Sequence, residues 1–150
     1  MNVSNSFSIS SSALTAQRLR MDVISSNIAN AETTRASVSN GEAVPYKRKM
    51  VVLEPNKSSF SSLLQSQMQG GATGKGVRVS EIREDQSPLK PVYDPTHPDA
   101  NAEGYVMMPN VDIAKEMVDM ISASRSYEAN VTALNSTKAM FTKALEIGRA

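Results

Sequence analysis

The only histidine, His97, lies in Tyr93-Asp94-Pro95-Thr96-His97-Pro98-Asp99, with one carboxylate three residues before it and another two after. An imidazole between carboxylates is the raw material of a metal site or a general base. A metal needs a third or fourth ligand from elsewhere. A serine nucleophile needs a Gly-x-Ser-x-Gly elbow, which the chain lacks. The flanking prolines suit a rigid turn, and the stretch is read as that, with no metal and no catalytic residue. Gly70-Gly71-Ala72-Thr73-Gly74-Lys75-Gly76 resembles a phosphate loop only loosely: Gln69 stands where the first Gly belongs and Gly76 where Ser or Thr belongs. It reads as a flexible loop, and no cofactor is expected. The absence of cysteine excludes thiol nucleophiles, disulfide scaffolds and cysteine-ligated metals.

Tyr46-Lys47-Arg48-Lys49 is the one basic cluster beside an aromatic, suited to a phosphate or an anionic cell-wall polymer. A free-standing, non-enzymatic binding module built on it is the alternative reading of the chain. Against it, 16 basic and 15 acidic residues leave a formal charge of +1, too little field to draw in nucleic acid. The longest apolar runs, Met50–Leu53 and Tyr105–Met108, are four residues long, where a membrane span needs about 20. No membrane insertion and no cleavable secretory signal are expected.

The elements that must position these residues follow from the helix breakers. All seven prolines and six of the seven glycines fall between residues 41 and 109. Both ends are therefore free to be helical. In the C-terminal segment Ile113, Met120, Tyr127, Leu134 and Phe141 recur every seven residues, with Met117, Val131 and Leu145 four residues after three of them. That repeat predicts a coiled-coil helix over 111–147, about 55 Å long, capped by Asn110 and stopped by Gly148. In the N-terminal segment Phe7, Leu14, Met21 and Ile28 repeat likewise, with Ile24 and Ala31 beside them. A helix is expected from within the serine run at 4–12 to about Asn30, its first turns frayed. Between the helices, 46–53 and 76–82 read as strands, 91–93 and 105–108 as shorter ones, and 56–76 as a long mobile loop.

The fold class is thus mainly α: long terminal helices packed as a coiled-coil layer, with a small irregular β-containing middle. The domains are 1–32 plus 110–150 for the helices and 33–109 for an outer region. The long helix also carries Ala114, Val118, Ile121, Ala123 and Ala144 off the seam. Two helices cannot cover such a face, so packing between molecules is expected. The assembly seam comprises Leu14, Met21, Ile24, Ile28, Ile113, Met117, Met120, Tyr127, Val131, Leu134, Phe141 and Leu145.

Two stretches resemble a known family. Ser26-Asn27-Ile28-Ala29-Asn30-Ala31-Glu32-Thr33-Thr34 is similar to the N-terminal signature of the bacterial flagellar rod, hook and hook-associated proteins, in which Asn-Ile-Ala-Asn is followed by Thr. Ser124-Arg125-Ser126-Tyr127-Glu128-Ala129-Asn130, within 111–148, resembles the family's C-terminal helix. Many members continue with Pro-Gly-Tyr; here Thr34-Arg35-Ala36 follows, which, with the short middle and Gly104-Tyr105-Val106, points to the proximal-rod branch. The resemblance implies a structural subunit of the basal-body rod, exported by the flagellar type III apparatus. It implies helical polymerisation with itself and other rod proteins, as a drive shaft across the cell envelope outside the cytoplasm. The family motif is Asn27, Ile28, Ala29 and Asn30. The two asparagines are read either as a polar helix cap or as amides fixing helix register.

Overall fold

A computed structural model describes residues 3–39, 42–56 and 76–148. The loop expected at 56–76 and the glycine-rich stretch at 70–76 lie almost wholly outside the described residues. Helix α1 spans Val3–Ala29 and helix α2 spans Ile113–Ile147. Between them run β1 (Ser37–Ser39), β2 (Glu42–Val44), β3 (Lys49–Pro55), β4 (Val77–Glu84), β5 (Lys90–Tyr93) and β6 (Tyr105–Met108). They pair as three two-stranded sheets, β1–β2, β3–β4 and β5–β6. The mainly α class with a β middle holds. Among the described residues no helix is long and apolar enough to cross a membrane.

The chain divides into two compact units. One comprises Met1–Leu19, Val52–Glu81 and Ala123–Ala150. Here Ala16 and Ala123 are buried, and the helix takes in the whole serine run, starting at Val3. Ser12 explains part of that order. Its hydroxyl donates to the Ile9 carbonyl at 2.7 Å and accepts from the Val77 amide at 3.2 Å, so it ties helix to strand. Gly76 precedes that strand at φ +77°, and a Cβ there would run into the Ser12 hydroxyl. Only glycine tolerates both the left-handed backbone and the close approach.

The other unit comprises Arg20–Val51 and Ile82–Ser122. Val23, Ile24, Tyr46, Val106 and Val111 form its apolar core. The β1–β2 hairpin pairs Ser37 with Val44, Val38 with Ala43 and Ser39 with Glu42. In sequence, Asn40-Gly41 between the two strands is a residue pair that two-residue hairpin loops favour. Helix α2 does not start on Asn110. Asp112 caps it, its carboxylate accepting from the amides of Ala114 at 3.0 Å and Lys115 at 3.3 Å. Asn110 is occupied elsewhere.

Candidate assembly site

Asn27 is the third-last residue of α1 and is 1% exposed. A buried amide must find four partners. Its Nδ2 donates to the Lys49 carbonyl at 2.8 Å and to Glu116 Oε2 at 2.9 Å. Its Oδ1 accepts from the Lys49 amide at 2.9 Å and from the Tyr46 hydroxyl at 3.0 Å. Toward Lys49 the side chain behaves as a peptide group, giving the first residue of β3 the rung that a neighbouring strand would supply. Asn110 does the same one residue earlier. Its Oδ1 accepts from the Arg48 amide at 2.8 Å, and its Nδ2 donates to the carbonyls of Asp85 at 3.3 Å and Ser87 at 3.1 Å.

Glu116, in the first turn of α2, is fully buried. A lone carboxylate there would be prohibitive. Besides the Asn27 amide it receives Arg48 Nε at 2.6 Å. The other guanidinium nitrogens reach Asp85 and Asp119, each at 3.5 Å, and Asp119 also meets Arg20 at 3.4 Å. Burial works against the Arg48 charge, but the hydrogen bonds and charges of Glu116 and Asp85 outweigh it and hold its pKa above the usual value. The planar fork of arginine makes such a three-way junction feasible where lysine would not. One polar node thus joins α1, β3, the segment after β4 and the start of α2. It can fix geometry.

The covered face of α2 has its own register. Glu116, Met120, Ala123, Tyr127, Asn130, Leu134 and Thr137 are buried or half-buried. They alternate four and three residues apart, the spacing of a coiled-coil seam. Off that row Met117, Val118 and Ile121 are exposed, and past Thr137 the helix is exposed all round: Met140 and Ile147 off the row, Phe141 on its continuation and Leu145 four residues after it.

Comparison with known proteins adds a family. Residues 7–36 match the model described as flagella basal body rod protein, and 102–147 match that of the flagellar basal body rod FlgEFG protein C-terminal. The chain is 64% identical over 150 residues to the flagellar basal-body rod protein FlgC of Bacillus subtilis, covering 99% of this chain and all of the relative. It is 46% identical to the protein of that name in Borreliella burgdorferi, over 98% of both chains. Against that of Salmonella typhimurium it is 44% identical, over 99% of this chain and all of the relative. The chain belongs to the flagellar basal-body rod proteins.

In this rod protein the two matched segments carry Asn27, Asn110 and Glu116, while Tyr46, Arg48 and Asp85 lie between them. The two motif asparagines have different partners within the chain. Asn30 acts locally: it donates to the Ser26 carbonyl at 2.9 Å and accepts from the Thr33 hydroxyl at 3.2 Å, closing the end of α1. Asn27 reaches across to β3 and α2. Ile28 is half-buried and Ala29 exposed.

Of the expected seam residues, Ile24 is buried, and Leu14, Met21, Met120, Tyr127, Val131 and Leu134 are half-buried. Ile113, Met117, Phe141 and Leu145 are exposed. Within the chain, the row beside Met120, Tyr127 and Leu134 is the one three residues after each heptad position, through Glu116 and Ala123, rather than four after.

The basic cluster is not a binding strip. Tyr46 is buried and Arg48 is spent in the node. Only Lys47 and Lys49 face out, Lys49 lying 5.7 Å above the Tyr46 ring. The expected strand over 46–53 begins only at Lys49, so no strand alternation governs residues 46–48. His97 is held in its turn, its Nδ1 accepting from the Asp99 amide at 3.1 Å. Asp99 itself is taken by Arg35 and by Thr34, the latter at 2.9 Å. Among the described residues no three His, Cys, Asp or Glu side chains are placed to share a metal.

Proposed function

We propose that this chain is a structural subunit of the flagellar basal-body rod whose terminal helices, 1–32 and 110–150, pack against those of neighbouring subunits as a coiled-coil layer, with 33–109 outside it. The likeness to FlgC along the whole length supports the rod and its place in the basal body. The observation that carries the packing is the exposure of Met117, Val118, Ile121, Met140, Phe141, Leu145 and Ile147 on a single helix. Each such side chain contributes about 1.5–3 kcal/mol when fully buried, before ordering entropy is subtracted. Other rod proteins and further copies of this chain are the partners, in a helical polymer. Of the seam residues Leu14, Met21, Ile24, Ile28, Ile113, Met117, Met120, Tyr127, Val131, Leu134, Phe141 and Leu145, the exposed Ile113, Met117, Phe141 and Leu145 make the contacts between subunits, the half-buried ones flank them, and the buried Ile24 supports the layer from within the chain. The flagellar type III apparatus exports the chain, which then works outside the cytoplasm without catalysis, cofactor or nucleic acid.

The test is complementation of a strain lacking the chain. Phe141→Asp with Leu145→Asp places two carboxylates on the exposed row without touching the chain's core. The variant is expected to be made and secreted, absent from basal bodies and unable to support hooks. Normal hooks would refute the packing.

A further inference from the structure

Among the described residues one buried side-chain atom that can hydrogen-bond has no partner: Oε1 of Gln17, on α1. Asn27, ten residues further along the same helix, has a partner for every hydrogen-bonding position of its amide. A closed-off acceptor without a donor lowers stability, so its presence calls for a cause. Its place on the helix supplies one. Leu14, Gln17, Met21, Ile24 and Ile28 alternate three and four residues apart, the spacing of a coiled-coil seam. Leu14 and Met21, on either side of Gln17, are half-buried, and Ile24 is buried. A methionine or leucine at 17 would complete an apolar row with nothing left unpaired.

A single polar residue in such a row lowers stability and fixes register, because its amide must meet a partner at the same level of the facing helix. Within the free chain no group meets it. Gln17 as a residue is only half-buried, so it stands at the margin of what its own chain covers. Its unbranched side chain turns about three bonds, enough to meet a further helix laid along that margin. We propose that Gln17 sets the register of the assembly seam, its side-chain oxygen taking the missing donor from a helix of a neighbouring rod subunit. The donor is a side-chain N–H or O–H, since backbone N–H groups inside a helix are already used. A neighbour displaced by one turn leaves the oxygen as it is in the free chain, so only the matched register relieves it. This rests on the rod reading.

Gln17→Met is the decisive change. It keeps the side chain's length and helix propensity and removes the orphaned oxygen. Urea unfolding of the purified chain is expected to show a folding constant raised about tenfold, the scale of one unsatisfied buried group. In the strain lacking the chain, Q17M is expected to be made and secreted but to support few hooks. A more stable subunit that assembles worse marks an amide used between molecules; a role confined to the free chain would move both measurements in the same direction. Hooks in wild-type number overturn the proposal. So does an unchanged or lowered folding constant, since the oxygen is then already satisfied by water. Should Q17M not be secreted, the purified protein is sedimented with the other rod proteins, and pelleting as wild type does overturns the proposal equally. The strain without any copy separates the two readings: if it makes hooks unaided, the rod reading itself falls.

Discussion

Around Asn27 and Glu116 the chain pairs every polar group it buries, whereas at the far end of α2 it leaves Met140, Phe141, Leu145 and Ile147 in water. The two regions answer the same problem differently. A buried carboxylate is intolerable in a free subunit, so its partners must come from the same chain. Exposed apolar groups cost solubility but not folding, so their partners can arrive later, from other molecules. Polar specificity is thus settled before assembly and apolar area is held for it.

The sharpest way to break the contrast is to break the node. Glu116→Ala leaves Arg48 without its shortest partner, at 2.6 Å, and is expected to cost about 3–5 kcal/mol in urea unfolding of the purified chain. A loss under about 1 kcal/mol would mean that the node is solvated and carries no specificity. Asp112→Ala tests where α2 is capped and is expected to cost about 1 kcal/mol. By contrast Phe141→Ala, on the exposed row, is expected to stay within about 0.5 kcal/mol in the free chain while weakening rod incorporation.

The smallest effect expected is on acid stability. Asp85 is held below the usual carboxylate range by Ser87 and, further down, Arg48, Asp94 by Thr96, and Asp99 by Arg35 and Thr34. A depressed folded pKa gives stability that is fully present above the unfolded value, about 4, and lost as pH falls through the folded one. The unfolding midpoint should be flat from about pH 7 to 5 and decline below about 4. Asp99→Asn should make that decline shallower; an unchanged slope would count against the Arg35 contact.

How much of this was legible in sequence depends on what decided each feature. The helices were, because Gly and Pro are absent from 1–40 and from 110–147 and nothing local opposed the heptads. The cap of α2 was misplaced by two residues because Asn and Asp cap equally well. What decided it was tertiary: Asn110 is needed as a rung between Arg48 and Asp85. The β1–β2 hairpin was missed although Asn40-Gly41 announces it, since three-residue strands give no periodicity to read. On α2, rows three and four residues after each heptad position both fit a 3.5-residue period. Hydrophobicity favoured Met117, Val131 and Leu145, yet the chain buries Ala123, which is small, and Glu116, which is paired. No local rule announces that a glutamate will be fully buried on a helix; its partner Arg48 is 68 residues away. The same distance hid Arg48 within what looked like a surface strip.

Amide hydrogen exchange along α2, in the free chain and in isolated rods, tests the contrast most directly. The free chain should protect the amides around Glu116 and Ala123 and exchange those of 138–147 quickly. In rods, both should be slow. If 138–147 are already as slow as Glu116 in the free chain, or stay fast in the rod, the exposed row is not completed by neighbours, and the division between a self-satisfied node and a face left for assembly is contradicted.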